Sequence, residues 1–428
     1  AHSGLIGFST QKLMWRSKPF YGDSKIPFGI GLWEGVDGSR IMLVANANKY
    51  STKLKDEDLS ESIVLQEFAS KHVNNTAYHY YGTGDTGGSP TIQSVKTIEK
   101  SLAGNGPVKI ISAESDRLYK DYLPFEEHPE LPVWNGELLM DVHATGCYTS
   151  QAAMKLFNRR NELLADAAER SAVTADWSGS VEYPKDFLTE AWKRFLWHQF
   201  HDDLTGTSIP RAYEFSWNDE IISLKQFANV LTTSVGGFSR MLDTRVKGTP
   251  VVIYNPAAYA VTDIVEVAYD GMQDNVSVYD CNGRKIPSQL VLRDGVKKLL
   301  ICASAPSVGY AVYDIRKGGG TKSSPVLKAS SKGLENSVYK VAFDAAGDIC
   351  SIVDKRNGRE LVAEGKAVRL ALFTENKSYR WPAWEILKET MDKEPVSISD
   401  DVRISVLENG PVRATVCVER RHGESSFK

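Results

Sequence analysis

The sequence predicts a multidomain protein that begins with an α/β region, continues with an all-α region and ends with an all-β region. A chain of 428 residues exceeds what one hydrophobic core usually serves, so two to four domains are expected. Apolar residues at helical spacing fill the middle of the chain, and short strand-like runs with Asn, Asp and Gly turns fill the last part. We place the domains at 1–125, 126–247 and 248–428.

The amino-acid composition limits the kinds of partner that the protein is expected to bind. The net charge is −3 and basic residues are dispersed, so a nucleic-acid partner is not indicated. No apolar run in the sequence is long enough to span a bilayer. The five cysteines are scattered and form no CxxC motif, which argues against a disulfide framework and a cysteine zinc site. The 18 Tyr and 9 Trp are typical of carbohydrate-handling proteins and equally of large hydrophobic cores.

The first region alternates between predicted strands and helices. Short apolar runs at 5–8, 30–33 and 41–45 alternate with glycine, strands are predicted at 77–81 and 108–112, and helices at 59–72 and 91–102. The glycines at 34–38 predict a turn between the second and third apolar runs. Alternation of helix and strand over 48–125 predicts a parallel α/β layer, the end of a β/α barrel-like domain.

The loop at 82–91 is rich in glycine. Gly82, Gly84 and Gly87 satisfy GxGxxG after a predicted strand and before a predicted helix, as in a dinucleotide-binding fold. Ser89 and the following proline, however, place the helix start beyond the motif, and Asp85 would put an anion into the phosphate cradle. We favour a loop that presents Asp85 as an acid–base group. A solvated turn aspartate and a dinucleotide site remain alternatives.

The middle region contains three predicted helices, at 152–170, 184–201 and 211–242, the last interrupted by Gly236 and Gly237. Short polar links between them predict an antiparallel three-helix bundle. A polar segment at the junction with the first region contains side chains able to bind hydroxyl groups, as loops between domains often do. These side chains are Glu137, Asp141, His143 and Tyr148.

The last region is predicted to be a β-sandwich domain. Strand-like runs occur at 251–254, 265–267, 276–279, 298–301, 339–343 and 403–406. A Gly- and Ser-rich stretch at 317–324 predicts a flexible connector. The chain starts without Met and stops soon after a strand-like run at 413–419, so we expect an internal piece of a longer protein with an incomplete last domain.

The most unusual stretch is the polar turn that follows the second predicted helix. Residues 198–203 hold two histidines and two aspartates, and His198 and His201 share a helix face. Two histidines are too few for zinc, which needs at least three protein ligands. Consecutive carboxylates at Asp202 and Asp203 are opposed by the dipole of a helix C-terminus. A bound cation or polyol would explain them, and a structural imidazole is the alternative for each histidine.

Taken in chain order, these motifs resemble glycoside hydrolase family 38, the α-mannosidases. The residues that carry the resemblance lie at 8–13, 33–39, 82–91, 146–151 and 199–207. The resemblance implies hydrolysis of terminal α-mannosides with retention of configuration, at a zinc-dependent site. It implies that His201 is a zinc ligand, that Asp202 binds sugar hydroxyls and that Asp85 is the acid–base carboxylate. His143 and Tyr148 are further expected substrate contacts.

The sequence also departs from the family pattern. Phe200 stands where many relatives have a histidine, and the 428 residues contain neither the early His-x-His-Trp-Asp motif nor the nucleophile motif. We therefore expect that these lie upstream and that this stretch alone is inactive. The expected partners are a mannose-containing glycan and the missing N-terminal segment, with a homo-oligomer left open. Cytoplasmic and bacterial periplasmic or secreted locations are both compatible with the cysteines, and a non-catalytic carbohydrate-binding piece is the non-enzyme alternative.

Overall fold

The computed structural model describes residues 1–10, 26–45, 51–85, 87–138, 144–271, 275–293, 295–319, 326–373, 376–378 and 380–428. The chain divides into two compact units. The first is Ala1–Tyr148 with Asn376–Asp392, and the second is Thr149–Glu375 with Lys393–Lys428. Among the helices in these described ranges, none has the length and apolar character needed to cross a membrane.

The first unit is built on a small mixed sheet. Its strands are β1 (Gly7–Ser9), β2 (Ile30–Glu34), β3 (Arg40–Val44) and β4 (Val133–Asn135), and its helices are α1 (Ile63–Ala69), α2 (Ile92–Leu102), α3 (Arg117–Asp121) and the short Lys388–Met391. The strand order is β1-β3-β2-β4. β1 runs parallel to β3 and β2 parallel to β4, whereas β2 and β3 form an antiparallel hairpin. The predicted turn is confirmed, because Gly35 N donates to Ser39 O at 2.8 Å and Gly38 has a φ of +79°.

Two predicted strands of this region were wrong. Residues 77–81 and 108–112 are described and are not strands, so the predicted parallel α/β layer over 48–125 is not formed there. Tyr78 and Tyr80 instead pack their rings against the hydrophobic core of the sheet. The aromatic residues in this segment therefore serve core packing and do not mark a paired strand. The predicted helix at 59–72 is also shorter, because the Ser62 side chain accepts from Leu65 N at 3.3 Å and caps a new helix, α1.

Three helices open the second unit: α4 (Ala152–Trp177), α5 (Lys185–Trp197) and α6 (Pro210–Ser239). They share one hydrophobic cluster, to which α4 contributes alanines and the other two helices contribute Phe195 and Phe227. The predicted break at Gly236 and Gly237 was wrong, because α6 continues through both. A Cβ on Gly237 would lie 2.3 Å from Val181 Cγ2, so this glycine permits close packing.

The rest of the second unit is β-structure. The strands are β5 (Thr249–Asn255), β6 (Val261–Ala268), β7 (Val276–Tyr279), β8 (Lys285–Ile286), β9 (Ser288–Arg293), β10 (Val296–Ala305), β11 (Gly309–Lys317), β12 (Lys328–Ser330), β13 (Gly333–Glu335), β14 (Tyr339–Phe343), β15 (Ile349–Asp354), β16 (Arg359–Glu360), β17 (Ala371–Leu372), β18 (Val396–Ser397), β19 (Asp400–Asn409), β20 (Ala414–His422) and β21 (Ser425–Phe427). Every strand predicted from residue 251 onward falls within one of them.

Two of the sheets form the predicted sandwich. Sheet β6-β10-β9 and sheet β5-β11-β7-β8 share one hydrophobic cluster, with Leu299 and Ile301 from the first and Val276 and Val278 from the second. Alternate residues of these strands therefore face a common core. Further along the chain, the strands form sheets β12-β13-β14-β15-β16, β17-β18 and β19-β20-β21. Residues 320–324 of the predicted connector lie outside the described residues.

A side chain of the sandwich holds the turn of the β19–β20 hairpin. Gln289 Oε1 accepts from Val412 N at 3.1 Å and from Arg413 N at 2.9 Å. Arg413 Nη1 also donates to Glu266 Oε1 at 2.6 Å. Gly410 allows this approach, because a Cβ there would lie 2.2 Å from Gln289 Cδ. The hairpin is thus tied to strands β6 and β9.

Candidate functional site

Hydrogen bonds to one carbonyl group, that of Asp202, hold the backbone of the turn between α5 and α6. α5 ends at Trp197, four residues earlier than predicted, and the His198 amide caps it by donating to Phe195 O at 3.1 Å. The Thr207 and Ser208 amides then donate to Asp202 O at 3.1 and 2.8 Å. Gly206 has a φ of +82°, and a Cβ there would lie 2.3 Å from Ser150 O. The turn therefore has a defined backbone that depends on glycine at this position.

The inner side of the turn carries a buried histidine–aspartate pair. His198 Nδ1 lies 2.6 Å from Asp203 Oδ2, and the two side chains are 5% and 10% exposed. Ser216 on α6 donates to the other carboxylate oxygen, Asp203 Oδ1, at 2.9 Å. His198 Nε2 lies 3.4 Å from Asp219 Oδ2. Because a carboxylate only accepts hydrogen bonds, the His198 Nδ1 atom carries a hydrogen.

The outer side of the turn carries a second, exposed pair. The His201 side chain is 78% exposed and that of Asp202 is 39% exposed, with His201 Nε2 3.4 Å from Asp202 Oδ2. Thr207 Oγ1 donates to Asp202 Oδ1 at 2.8 Å. The ring of Phe200 lies beside the imidazole of His201, with the two centroids 4.3 Å apart. An imidazole nitrogen and carboxylate oxygens are thus presented together to a ligand.

A cavity of about 780 Å³ lies against the inner side of the same turn. The residues that line it are Leu196, Trp197, His198, Gln199, Phe200, Asp203, Ser208, Ala212, Phe215, Ser216 and Asp219. Its size falls in the range of small-molecule sites. Phe200 faces both this cavity and His201, so the turn separates the cavity from the exposed pair.

Zinc does not fit the described residues alone. A zinc site takes at least three protein ligands. In the part of the chain that the structure describes, no group of three or more His, Cys, Asp and Glu side chains could hold a metal ion. His201 and Asp202 together supply fewer ligands than that.

Two further predicted site residues, Asp85 and Tyr148, fall in the first unit. Asp85 is exposed and has a φ of +65° in the glycine loop, where Thr83 Oγ1 donates to Ser89 O at 3.1 Å. Tyr148 is 48% exposed at the end of the 3-10 turn Thr145–Tyr148. His143 lies outside the described residues. The structure therefore brings His201 and Asp202 together within the second unit and describes Asp85 and Tyr148 separately.

The glycine loop lacks the geometry of a dinucleotide-binding motif. Helix α2 begins at Ile92, and its cap is Thr91, whose Oγ1 accepts from Ser94 N at 3.1 Å. The cap thus comes after the Ser89 position predicted for it. Residues 77–81, just before the loop, are described and are not a strand. With no helix N-terminus among the glycines, the backbone amides are not arranged to bind a pyrophosphate, so the dinucleotide alternative is not supported.

A buried carboxyl group behind the turn was missed by the sequence reasoning. Glu220 on α6 is fully buried, and Asn161 on α4 donates through Nδ2 to Glu220 Oε2 and, at 3.1 Å, to Glu220 O. Burial raises the pKa of Glu220 to about 7, although the Asn161 hydrogen bond and the nearby His198 act in the opposite direction. Helical spacing could have predicted that Glu220 is buried, because it lies on the buried stripe of α6 between Ser216 and Ser223.

Comparison with known protein families gives two matches, one of which contains this turn. Residues 142–236 match the model of the α-mannosidase middle domain, and residues 334–428 match that of the glycosyl hydrolases family 38 C-terminal domain. The matched regions include the α5–α6 turn and the strands from β14 to β21. Through these two matches the chain is similar to glycoside hydrolases.

The relatives agree with this class. Alpha-mannosidase G of Dictyostelium discoideum is 27% identical over 99% of this chain and 40% of its own length, and human alpha-mannosidase 2C1 is 25% identical over 90% and 34%. The alpha-mannosidase of Saccharomyces cerevisiae is 31% identical over 50% of this chain and 20% of its own length. The chain therefore spans 40% or less of the length of these relatives. Its middle and C-terminal parts are similar to domains of α-mannosidases and family 38 glycosyl hydrolases.

A solved structure shows the same fold. The crystal structure of an alpha-mannosidase from Enterococcus faecalis V583 matches 97% of this chain and 51% of its own, with a TM-score of 0.59 and 18% identity. Such low identity supports the arrangement of elements and carries no argument about individual residues.

Proposed function

We propose that this chain is part of an α-mannosidase that hydrolyses terminal α-mannosides with retention of configuration and depends on zinc. The observation that carries the proposal is the exposed His201–Asp202 pair, 3.4 Å apart, on a turn within the matched middle domain. In this proposal His201 supplies one zinc ligand and Asp202 binds sugar hydroxyls. The further ligands and the nucleophile come from sequence beyond these 428 residues, which contain no His-x-His-Trp-Asp motif.

The local chemistry of Asp202 supports its role as a sugar contact. A carboxylate offers about four acceptor positions. Thr207 Oγ1 occupies one position on Oδ1, and the side chain is 39% exposed, which leaves acceptor positions for sugar hydroxyl groups. The Asp202 carbonyl oxygen accepts two amide hydrogen bonds, so the backbone below this carboxylate is held.

The proposal also assigns a role to Asp85. A retaining glycosidase needs one carboxyl group that attacks the anomeric carbon and a second that protonates the leaving oxygen. Asp85 is exposed on its glycine loop and is proposed as the second. His143 and Tyr148 are proposed as contacts to substrate hydroxyls. The domain limits 1–125, 126–247 and 248–428 are likewise part of the proposal.

The test compares two polypeptides, the 428-residue chain and a natural longer protein that contains it together with a His-x-His-Trp-Asp motif. We expect the longer protein to hydrolyse 4-nitrophenyl α-mannoside and the 428-residue chain to be inactive. In the longer protein, His201→Ala and Asp202→Ala should each lower kcat/KM by about a thousandfold, because each removes a group that contacts zinc or substrate. His422→Ala changes another exposed histidine and should leave kcat/KM unchanged.

Two further measurements probe the finer points. Nuclear magnetic resonance of the first product formed should show the α-anomer, and an initial β-anomer would refute retention. Metal analysis should find stoichiometric zinc in the longer protein and less in its His201→Ala variant. Near-normal hydrolysis by either turn variant, or stoichiometric zinc in the 428-residue chain alone, would contradict the proposed site.

A further inference from the structure

The inner side of the α5–α6 turn makes polar contacts that the proposed metal and sugar contacts do not use. Asp203 accepts from His198, the capping residue of α5, and from Ser216, on α6. All three side chains belong to buried residues, with exposures of 4% for His198, 7% for Asp203 and 4% for Ser216. One buried carboxylate therefore joins the end of one helix, the turn itself and the next helix.

We propose that His198 and Asp203 are positioning residues for the exposed pair. His198 and Ser216 hold the Asp203 side chain from two sides, and this fixes the backbone of the turn and with it the directions of His201 and Asp202. This inference rests on the proposed function only where it identifies His201 and Asp202 as site residues.

The connection between the two pairs is short. Asp202 and Asp203 share a planar peptide group, so the Asp203 backbone cannot shift without moving the Asp202 carbonyl. The Asp203 amide donates to Phe200 O at 2.9 Å, which closes the backbone around His201. Gly206 N donates to Asp203 O at 3.0 Å, next to the two amide bonds that Asp202 O accepts. Four backbone bonds of the turn, from the amides of Asp203, Gly206, Thr207 and Ser208, therefore begin or end at Asp202 or Asp203.

Two substitutions of His198 separate positioning from simple loss of stability. His198→Asn keeps a donor nitrogen two bonds from Cβ, where Nδ1 of histidine lies, and so retains the bond to Asp203 while losing the approach to Asp219. His198→Leu removes both contacts and leaves the carboxylate without its closest partner. A role in positioning predicts rescue by asparagine and none by leucine.

The readout is amide hydrogen exchange of Thr207 and Ser208, which donate to Asp202 O at 3.1 and 2.8 Å. In the 428-residue chain, His198→Leu should speed exchange of both amides by about tenfold or more, because a buried charge-assisted bond is lost. His198→Asn should leave both exchange rates near those of the unchanged chain, because it keeps the bond to Asp203. Ser216→Ala removes the weaker tether and should give about a threefold increase.

A matched control lies elsewhere in the second unit. Arg420 Nη1 and Asp348 Oδ1 form another buried ion pair at 2.6 Å, with both side chains 7% exposed. Arg420→Met breaks this pair and lowers stability, and it should leave the Thr207 and Ser208 exchange rates within about twofold. If Arg420→Met speeds these amides as much as His198→Leu does, or if His198→Leu leaves them unchanged, positioning is refuted.

The result remains decisive if one variant fails. Should His198→Leu not fold, Ser216→Ala and His198→Asn still have to rank as stated, and equal exchange in both would overturn the inference. In the longer protein, His198→Leu should lower kcat/KM about tenfold and His198→Asn should restore most of it. Absence of α-mannosidase activity would refute the proposed function and leave the exchange result standing, whereas unchanged exchange would refute positioning alone.

Discussion

The two histidine–aspartate pairs of the α5–α6 turn use the same residue types for opposite purposes. His198 and Asp203 are 2.6 Å apart with side chains 5% and 10% exposed, whereas His201 and Asp202 are 3.4 Å apart and 78% and 39% exposed. The inner pair makes its hydrogen bonds to other groups of the protein, whereas the outer pair exposes nitrogen and oxygen atoms that a ligand can contact. Burial, rather than residue type, decides which pair can bind.

The largest expected effect on stability comes from breaking the inner pair. Asp203→Ala leaves the buried His198 imidazole without its closest partner and leaves the Ser216 hydroxyl only Ala212 O as an acceptor, so we expect the free energy of unfolding to fall by about 3–5 kcal/mol. Asp202→Ala, one residue earlier, loses one partly exposed hydrogen bond and should cost about 1 kcal/mol. Urea denaturation of both variants checks this, and equal losses would mean that the two pairs do not differ.

The second effect concerns Glu220, the buried carboxyl group behind the inner pair. Its pKa is raised to about 7 from the usual 4.5, so the folded protein keeps a proton that the unfolded chain releases. Stability from this group is therefore greatest below about pH 4.5 and falls as the pH rises to about 7, by about 3 kcal/mol at most. Above that range its contribution no longer changes.

Glu220→Gln isolates this contribution from other titrating groups. The variant should gain stability relative to the unchanged protein as the pH rises from 5 to 8, measured by urea denaturation at each pH. A parallel pair of stability curves would show that Glu220 titrates normally.

A third prediction tests the backbone between the two pairs. Gly206→Ala combines a positive φ with a Cβ 2.3 Å from Ser150 O, and should cost about 2–3 kcal/mol. Gly179 also has a positive φ, of +69°, but nothing lies within 4 Å of its Cβ position. Gly179→Ala should therefore cost only about 1 kcal/mol. Thermal unfolding of the two variants would contradict this account if their losses were the same.

The smallest effect is expected at the outer pair. His201→Ala removes a side chain that is 78% exposed, so the free energy of unfolding should change by less than about 0.5 kcal/mol. Combined with the large loss of activity proposed for the same variant, this would mark His201 as a ligand-binding group. A loss of stability comparable to that of Asp203→Ala would instead show that His201 is structural.

Sequence periodicity anticipated part of this contrast. Helical spacing predicts one face of α5 with Phe187, Ala191, Phe195 and His198, and the last three are buried whereas Phe187 is 42% exposed. Its buried partner, Asp203, follows the end of α5, and helical spacing gives no information across a turn. For Glu220 the situation is reversed. Helical spacing places it on the buried stripe of α6, but a charged residue at a buried position is unexpected when the sequence shows no partner for it.

Strand prediction succeeded where strands pair locally and failed where they do not. Runs such as 276–279 and 298–301 alternate in a sandwich whose two faces share a core. Residues 77–81 have equally strong strand character from Tyr78 and Tyr80, yet these rings serve packing against the sheet. Whether a segment finds a neighbouring strand to pair with depends on the tertiary structure, so a short aromatic run alone does not specify a strand.

The contact between Gln289 and the β19–β20 hairpin bears on how the molecule can be divided. The family 38 C-terminal domain match begins at residue 334, whereas Gln289, which binds the Val412 and Arg413 amides, lies before that point. A polypeptide cut at residue 334 would leave both amides and the Arg413 guanidinium without their acceptors on β9 and β6. These hydrogen bonds cross the start of the matched region, so we expect a polypeptide that begins at residue 334 to be less stable than the same region within the whole chain.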